Sequence, residues 1–313
     1  MAPETKKAPK KTAPFRAGHV AIVGRPNVGK STLLNALVGE RIAIISSHPQ
    51  TTRDRIRGIL TDRDAQLVFV DTPGVHRART KLGARMNQIA RDVTREADVV
   101  FFMTDLTESS GPTMRDVDQA ILKDIPAKMP VILVLNKADK IKDKTRLFPI
   151  LEGYAKVREF SSIVPMSAMK QDSGVARLVA EAKKLVPEGE KVFPDDELSD
   201  KPIRFFVAEM VREQILAKTR DEVPHGVAVT VERFDEEGRV PTISATIHVD
   251  REGHKKIIVG EKGQFIKTVG QNARKRIEEL VGKQVHLELW VRVTPRWYES
   301  ESQLKEMGYG DDR

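Results

Sequence analysis

Short apolar runs and amphipathic stretches alternate along the chain from residue 18 to about residue 185. Six runs have the length and apolar character of buried strands, and polar or helical stretches separate them. Strands that alternate with helices predict an α/β fold with a doubly wound, mostly parallel sheet, whose ligand site lies at the carboxyl ends of the strands. The predicted strands cover residues 19–23, 56–61, 66–71, 98–104, 130–135 and 162–164, and the predicted helices include residues 32–38 and 113–123.

The hydrophobic pattern changes after residue 202. Residues 203–216 have helical periodicity, and residues 226–231 and 242–249 alternate apolar and polar positions, as half-buried antiparallel strands do. A short helical stretch that ends at a glycine-containing loop, a helix over 264–280 and a strand over 285–293 follow. This order predicts a second, smaller α+β domain. The predicted buried positions of its first helix are Phe206, Val207, Met210, Val211 and Ile215.

Composition divides the chain into four parts. Residues 1–17 carry five basic residues and one acidic residue among three prolines, which predicts a disordered basic tail. The tail either adds affinity for RNA or acidic lipid, or is a solubilising leader without a defined target. Residues 187–201 are rich in proline and acid, which predicts a flexible linker. The linker separates a first domain over 18–186 from a second domain over 202–313, which ends in a C-terminal helix.

Charge and residue usage exclude several classes of protein. A chain of 313 residues has room for two domains, each with its own core. It contains no cysteine, so it has neither a disulfide framework nor a thiolate metal site, and a reducing cytoplasm fits. No apolar run approaches the ~18 residues of a membrane span, and no signal peptide is visible. The formal net charge of +8 favours a polyanionic partner.

A glycine-rich loop lies between the first predicted strand and the first predicted helix. It fits the phosphate-loop pattern of a glycine, four variable residues and then Gly-Lys-Ser. The glycines let successive backbone N–H groups point at phosphate oxygens, with a helix N-terminus behind them. The lysine reaches the β- and γ-phosphates, and the serine hydroxyl binds Mg²⁺. The predicted phosphate-binding residues are Gly24, Arg25, Pro26, Asn27, Val28, Gly29, Lys30 and Ser31.

Two later segments occupy the places of nucleotide-dependent switches. In the loop over 41–54, Thr51 and Thr52 are candidates for the threonine that closes on magnesium and the γ-phosphate, and Thr52 is preferred. The alternative is an ordinary surface loop. Asp71 ends a buried-type strand, where its carboxylate can hold Mg²⁺ through water, and the Gly74 N–H can contact the γ-phosphate. The second switch begins with Asp71, Thr72, Pro73, Gly74 and Val75, and the predicted magnesium ligands are Ser31, Thr52 and Asp71.

A third motif, Asn136-Lys-Ala-Asp139, follows the strand over 130–135 and predicts guanine recognition. The carboxylate of Asp139 can accept hydrogen bonds from the N1–H and the 2-amino group of guanine, whereas adenine offers neither donor. Unmatched buried polar groups discriminate by a factor of ~10⁴ in comparable pockets. Asn136 braces the loop, and the Lys137 stem lies along the purine face. The predicted base-binding residues are Asn136, Lys137, Ala138 and Asp139, with Ser167 and Ala168, whose N–H would donate to guanine O6.

These motifs, in this order, resemble the TrmE-Era-EngA-like branch of P-loop GTPases. The resemblance implies a GTPase that binds GTP or GDP with Mg²⁺ and hydrolyses GTP to GDP and phosphate. Val75 stands where Ras-like GTPases carry the glutamine that orients the attacking water. The branch implies that Asn27 instead helps to hold K⁺ against the phosphates, so that hydrolysis is slow and potassium-stimulated. The alternative for Asn27 is a polar residue that suits the turn.

The loop Gly260-Glu-Lys-Gly263 in the second domain resembles the GxxG loop of a type II KH domain, which clamps single-stranded nucleic acid by its backbone. Its glycines allow phosphates to approach closely, and the helix after it favours an anion. Residues 251–276 hold eight basic and two acidic residues, whereas the whole second domain is nearly neutral. The focused charge indicates RNA binding. The predicted RNA-binding residues are Lys255, Lys256, Gly260, Glu261, Lys262, Gly263, Lys267 and Arg274.

A GTPase domain followed by a KH domain resembles the Era family of ribosome-assembly GTPases. The resemblance covers residues 18–309 and implies a cytoplasmic monomer that binds the 3′ end of 16S rRNA during maturation of the 30S subunit. It also implies peripheral contact with the inner membrane. One alternative is a membrane-linked regulatory GTPase whose second domain binds protein. Another is an RNA-binding scaffold with an inactive nucleotide site, which the presence of Lys30, Ser31, Asp71 and Asp139 disfavours.

Overall fold

Six strands and five helices form the first domain in the computed structural model, which describes residues 14–46, 48–107, 114–141, 145, 147–219, 223–237 and 239–310. All six predicted strands are present, and the helix predicted over 113–123 begins at Asp116, residue 113 lying outside the described residues. In chain order the elements are β1 (Arg16–Val23), α1 (Lys30–Val38), β2 (Ile56–Thr61), β3 (Ala65–Asp71), α2 (Lys81–Glu96), β4 (Val99–Asp105), α3 (Asp116–Asp124), β5 (Val131–Asn136), α4 (Leu147–Ala155), β6 (Ser162–Pro165) and α5 (Ser173–Leu185).

The strands of the first domain form one sheet in the order β2-β3-β1-β4-β5-β6. All neighbouring pairs are parallel except β2 and β3, which are antiparallel. The predicted mostly parallel sheet is therefore confirmed. Because β1, β3 and β5 run in one direction, the loops after all three strands meet at the same edge of the sheet, where the phosphate loop, Asp71 and Asn136 lie.

Apolar side chains fill both faces of this sheet. Strands β3, β4 and β5 are buried along their whole length, which explains why their sequences are continuously apolar. Successive residues of β1 point to opposite faces of the sheet. Val20 and Ile22 belong to the core under α1 and α5, and Ala21 and Val23 belong to the core under α2, α3 and α4. On α1 the predicted apolar face is confirmed, because Leu33, Leu34 and Leu37 are buried and Val38 packs at their edge.

The second domain is the predicted α+β unit. Its three strands are β7 (Ala228–Asp235), β8 (Thr242–Val249) and β9 (His286–Val293). They form a sheet in the order β7-β8-β9, with β7 and β8 antiparallel and β8 and β9 parallel. On the first helix, four of the five positions predicted to be buried are buried, whereas Phe206 is half-buried. The elements are α6 (Ile203–Leu216), β7 (Ala228–Asp235), β8 (Thr242–Val249), α7 (Glu252–Val259), α8 (Gln264–Val281), β9 (His286–Val293) and α9 (Glu301–Leu304).

The predicted tail over 1–17 extends too far. Residues 1–13 lie outside the described part of the chain, but Arg16 and Ala17 belong to β1. Arg16 pairs in register with Ala65 on β3, and the Ala17 N–H donates to the Pro187 carbonyl at 3.2 Å. These backbone bonds place the start of the first domain two residues earlier than composition indicated.

The segment over 187–201 joins the domains as predicted, and it makes hydrogen bonds to the first domain along its length. The Ile59 N–H on β2 donates to the Leu198 carbonyl at 3.0 Å, and the Val192 and Phe193 N–H groups donate to the Gln66 side chain at 2.7 and 2.9 Å. At the far end, Lys201 and Asp54 form an ion pair at 2.6 Å. The linker thus lies along the outer edge of the first sheet and is hydrogen-bonded to it.

Residues from both domains share a small apolar cluster. Leu82 and Met86 on α2 pack against Ala228, Trp297 and the C-terminal residues Leu304 and Met307. The Trp297 ring is completely buried, and its Nε1–H donates to the Gly226 carbonyl at 3.1 Å. Helix α2 follows the predicted second switch, so this cluster connects the helix after that switch to the second domain.

Candidate functional site

The phosphate loop requires glycine at position 29. Gly29 has φ of +105°, and a Cβ there would lie 2.4 Å from the side-chain nitrogen of Asn136. That Asn136 Nδ2 donates to the Val28 carbonyl at 2.7 Å, and its Oδ1 accepts from the Ala168 N–H at 3.0 Å. One asparagine therefore connects the phosphate loop to both base-binding segments, which is the bracing role predicted for it.

Lys30 begins α1 and its side chain folds back over the loop. Its ammonium donates to the carbonyls of Gly24 at 3.2 Å and Arg25 at 3.0 Å, so the charge is held within the turn where phosphate would lie. The side chain is buried, and burial lowers the pKa of Lys30 to about 8, with Asp71 acting in the opposite direction. A phosphate beside it would favour the charged form.

The three predicted magnesium ligands converge at the ends of α1, β3 and the first switch loop. The Ser31 hydroxyl donates to Asp71 Oδ2 at 2.7 Å and lies 2.9 Å from the Thr52 hydroxyl, which is itself 3.2 Å from the same carboxylate oxygen. Burial raises the pKa of Asp71, and its other oxygen, Oδ1, has no hydrogen-bond partner among the described residues. Two hydroxyls and a carboxylate are hard oxygen donors, which suit Mg²⁺.

The geometry also separates the two candidate threonines. The Thr51 hydroxyl donates to the His48 carbonyl of its own loop at 2.7 Å, whereas Thr52 faces Ser31 and Asp71. The sequence preference for Thr52 therefore has a geometric basis.

Arg25 differs from its neighbours in the loop because its side chain turns away from them. Its Nε donates to Asp118 on α3 at 2.8 Å, and Asp118 also accepts from Thr104 at 3.1 Å and from the Tyr154 hydroxyl at 2.7 Å. All four side chains are buried. Arg25 can therefore serve phosphate only through its backbone, and Asp118 and Tyr154 are supporting residues that the sequence did not single out.

The second switch packs tightly on the phosphate loop. A Cβ on Gly74 would lie 2.7 Å from the backbone nitrogen and Cα of Pro26, so any side chain there would force the two segments apart. The Val75 N–H donates to the Gly24 carbonyl at 3.4 Å, and its side chain packs against the apolar core under α2. His76, which sequence reasoning missed, links Gly74 to Gln50 of the first switch loop through its two ring nitrogens, at 3.1 and 2.5 Å.

Of the Asn136–Asp139 motif, predicted to bind the base, only Lys137 lines the pocket beside the phosphate loop. Lys137 has a left-handed backbone, and its ammonium pairs with Asp105 and donates to the Asn27 carbonyl at 3.2 Å, which leaves its stem against the pocket. A hydrogen bond from the Ser167 side chain lowers the pKa of Asp139, so this carboxylate is an ionised acceptor at neutral pH. The Ala168 N–H, predicted to donate to guanine O6, already donates to Asn136, so that contact would require sharing or shifting this bond.

A pocket of about 390 Å³ connects the phosphate loop, both switches and the base motif. Met169 is 71% exposed and lines this pocket together with Lys137. Met169 directly follows Ser167 and Ala168 in the sequence, and this position next to two predicted base-binding residues could have identified it as a pocket residue. The other lining residues that sequence reasoning missed are Thr32, Ile44, Ile45, Ser46 and Gln50.

A second candidate site lies in the smaller domain. Gly260 and Gly263 have φ of +74° and +76°, and Lys262 between them has φ of +49°. A Cβ on Gly260 would lie 2.6 Å from the Phe265 side chain, so packing against Phe265 requires glycine at this position. Helix α8 begins directly after Gly263 with no side-chain cap, and its first N–H groups can therefore donate to an anion.

A groove of about 330 Å³ continues from this loop between α8 and β9. Two of the predicted residues, Lys267 and Arg274, line it. Gly270 is the mid-helix position where a side chain would narrow the groove, since a Cβ there would lie 3.4 Å from Leu289. The lining residues that were not predicted are Ile266, Gly270, Gln271, Leu287 and Leu289.

The basic count over 251–276 overstates the charge available to a ligand. Arg276 forms an ion pair with Glu213 of α6 and is half-buried, so its charge is neutralised inside the protein. Arg251 donates to the His254 ring at 2.9 Å. Lys256, Lys262 and Lys267 remain exposed around the loop and groove, and Lys255 is half-buried.

Comparison with known proteins gives two family matches. Residues 19–137 match the model of the 50S ribosome-binding GTPase, and residues 222–298 match the KH domain. The GTPase Era of Trichlorobacter lovleyi is 46% identical, over 94% of this chain and 98% of the relative. The GTPase Era of Clostridioides difficile is 41% identical, over 95% and 99%. The chain belongs to the GTPase Era family.

Two solved Era structures have the same architecture. Era in complex with MgGDPNP and nucleotides 1506–1542 of 16S ribosomal RNA is 41% identical to this chain, with a TM-score of 0.89 over 95% of this chain and all of that one. A single-residue variant of Aquifex aeolicus Era, bound to GDP·AlF₄⁻, gives the same values. The predicted GTPase domain followed by a KH domain is confirmed. Within the described ranges, none of the helices has the length and apolar character that a membrane crossing needs.

The base pocket generates a first testable prediction. Replacing Asp139 by Asn should leave one acceptor for N1–H but turn the acceptor for the guanine 2-amino group into a donor. Affinity should therefore fall for GTP and rise for xanthosine triphosphate, whose 2-oxo group accepts a hydrogen bond. The loss should be on the scale of ~10⁴ for a site left with unmatched polar groups. Competition among GTP, ATP and xanthosine triphosphate for a fluorescent guanine nucleotide measures it. Equal competition by ATP and GTP in the unaltered protein would refute the assignment.

Proposed function

We propose that this protein is a GTP-hydrolysing switch that binds the single-stranded 3′ end of 16S rRNA through its KH domain and acts in 30S subunit biogenesis. The observation that carries the proposal is the direct packing of the first switch loop, and of helix α2 after the second switch, against the domain that holds the RNA groove. The solved Era bound to that RNA, at 41% identity over nearly the whole chain, supports the choice of ligand. The proposal includes a cytoplasmic monomer that contacts the inner membrane peripherally.

At the nucleotide site, Ser31, Thr52 and Asp71 would hold Mg²⁺, and their convergence around one carboxylate oxygen fits that ion. The ion supplies positive charge that offsets the charge on the β- and γ-phosphates. Lys30 adds a second positive charge, and the Gly74 N–H would contact the γ-phosphate. Loss of the γ-phosphate would release the Thr52 and Gly74 contacts, which is the basis of the switch.

Potassium would take the place of the missing water-orienting glutamine. The Val75 side chain packs into the apolar core and has no group that can orient water. Asn27 has a left-handed backbone and lines the nucleotide pocket together with Ile44, Ile45 and Ser46 of the first switch loop. The pocket therefore has oxygen donors from two walls near the phosphates, the ligand type that a hard cation requires.

The second prediction tests this assignment. GTP hydrolysis should be slow in sodium and faster in potassium, and Asn27→Ala should remove the difference with little loss of GDP affinity. Single-turnover hydrolysis in KCl and NaCl at equal ionic strength measures the effect, and GDP titration provides the control. Equal rates in both salts for the unaltered protein would return Asn27 to the role of a turn residue.

RNA would bind along the GxxG loop and the groove between α8 and β9. The backbone at Gly260 and Gly263 admits phosphates, and Lys262 projects from the loop with an exposed side chain. Lys267 and Arg274 line a groove whose floor is apolar, from Ile266 and Leu289 among others. A positive rim over an apolar floor suits phosphates outside and unstacked bases inside.

The third prediction concerns this loop. Lys262→Asp should weaken binding of the 16S fragment with nucleotides 1506–1542 and lower the slope of log affinity against log salt by about one, because a phosphate contact is lost. Lys283→Asp, the same charge change at an exposed position beyond the other end of α8, is the matched control. Filter binding at several salt concentrations measures both. Equal RNA affinities for the two variants would refute the assignment of this loop as an RNA contact.

Nucleotide and RNA would be coupled through Arg53, the residue after Thr52. Its guanidinium leaves the first domain and donates to the carbonyls of Val227, Pro224 and His225 in the KH domain, at 2.5, 3.0 and 3.1 Å. It also lies over the ring of Trp297, 5.5 Å from the centroid. Because Arg53 is only 4% exposed, a movement of its side chain away from these partners would either leave an empty cavity or bury an unpaired charge.

A second connection runs from the same switch loop to the RNA-binding helix. The Thr51 carbonyl accepts from buried Arg212 on α6 at 2.5 Å. The next residue, Glu213, pairs with Arg41 of the switch loop at 2.5 Å and with Arg276 on α8. Movement of the switch loop therefore acts on α6 and, through Glu213, on the helix that lines the RNA groove.

The fourth prediction tests the coupling. RNA affinity should differ between the GDP state and the GDPNP state by about 5- to 150-fold, the usual range for allosteric coupling. Arg53→Ala should bring this ratio close to one, while GDPNP affinity without RNA stays within a few-fold. Arg63→Ala, at an exposed position in the β2–β3 turn, should leave the ratio unchanged. An unchanged ratio in the Arg53 variant would show that nucleotide and RNA communicate by another route.

A further inference from the structure

The edge strand of the KH sheet presents a large aromatic side chain to solvent. Along β9 the residues alternate between exposed and half-buried, and Trp290 is 66% exposed. Leu287 and Leu289 point to the opposite face, where they line the RNA groove. Trp290 therefore follows a groove residue directly in sequence but projects from the other side of the same strand.

This tryptophan is unusual within the molecule. The chain has two tryptophans, and the other, Trp297, is completely buried and hydrogen-bonded through its Nε1–H. Trp290 lies opposite Thr246 on β8 in the strand register, and two thirds of its surface remains exposed. Exposing an indole at the edge of a sheet is an aggregation hazard that proteins usually avoid, so its retention at this place indicates a use.

The position of Trp290 relative to the GxxG loop follows from the topology. Helix α8 and β9 are joined by a tight turn at Gly282 and run antiparallel, so the start of α8 lies beside the later half of β9. Gly270 faces Leu289 across the groove. The loop end of the groove is therefore the end at which Trp290 and, two residues later, exposed Arg292 project from the opposite face.

The charges around Trp290 permit a nucleic acid. The nearest acid on the strand, Glu288, accepts from Ser244 at 2.9 Å and pairs with His286 at 3.3 Å, so its charge is engaged on the side away from Arg292. Within the described chain, β9 pairs with β8 alone, so no further strand lies on the backbone edge between groove and indole. A strand leaving the groove can cross this edge without meeting another element of the sheet.

We propose that Trp290 is a stacking platform for a base of single-stranded RNA that lies outside the four-nucleotide groove, with Arg292 beside it for the phosphate. This rests on the proposed RNA binding and extends that site around the edge of β9. RNA is favoured over a protein partner because the indole continues a groove with RNA chemistry and has an arginine neighbour. Base–aromatic stacking tolerates any base, so the platform adds affinity without sequence preference.

RNA length provides the test. Two single-stranded oligonucleotides from the 3′ end of 16S rRNA are compared, one of about five nucleotides that fills only the groove and one of about twelve, since a KH loop clamps about four. Trp290→Ala should weaken binding of the long RNA by about 5- to 150-fold and leave the short RNA unchanged. Trp290→Phe should retain most of the affinity. Phe148→Ala, which removes another exposed aromatic on α4 of the first domain, should change neither.

Intrinsic fluorescence gives a second readout. In the unaltered protein, long RNA should quench the exposed indole and protect it from iodide, and both effects should be absent in Trp290→Phe, which retains only buried Trp297. If Trp290→Ala binds the long RNA like the unaltered protein, or loses affinity equally for both RNAs, the platform is refuted. If the unaltered protein binds neither RNA, the proposed RNA function fails instead.

Discussion

The burial of one positive charge between the two domains determines much of the arrangement of the molecule. Arg53 lies at the interface, where its two terminal guanidinium nitrogens donate to three backbone carbonyls of the KH domain and the guanidinium lies over the face of Trp297. A buried guanidinium without such partners would be strongly destabilising, so the two domains must meet at this point for the first switch loop to hold its conformation. Thr52 next to it reaches the nucleotide site. One short stretch of backbone therefore belongs to two sites at once.

The nucleotide site itself is built from groups that the fold leaves incompletely satisfied. Burial lowers the pKa of Lys30 and raises that of Asp71, so each charged form is disfavoured by its surroundings, while the two side chains partly offset one another. Such a site gains from a ligand that brings phosphates and a cation, because both then obtain stronger partners. The rigid parts, from Gly29 against Asn136 to the buried Arg25–Asp118 pair, keep the loop in shape without the ligand.

Basic residues of the KH domain serve two different purposes. Lys262 and Lys267 are exposed at the loop and groove, whereas Arg276, on the same helix, is tied to Glu213 at the domain interface. Helix α8 thus carries the exposed Lys267 near its start and, farther along, an ion pair to Glu213, the residue of α6 that also pairs with Arg41 of the first domain. Gly270 lowers the intrinsic helix propensity by about 1 kcal/mol relative to alanine, but it keeps the groove open beside Leu289.

The sequence alone determined the fold class and the order of the elements, and it predicted the candidate residues of both sites. Continuous apolar runs are typical of strands covered on both faces, and the phosphate loop and Asp139 motif carry their chemistry in contiguous residues, so short-range pattern was enough. Only the tertiary structure decided which threonine faces Asp71, that Arg25 turns inward to Asp118, and that the linker lies along β2. It also separated buried Trp297 from exposed Trp290. Each of these features depends on contacts between residues that are far apart in the chain. The periodicity of apolar residues along the sequence does not show which distant backbone or side chain completes a hydrogen bond or covers a ring.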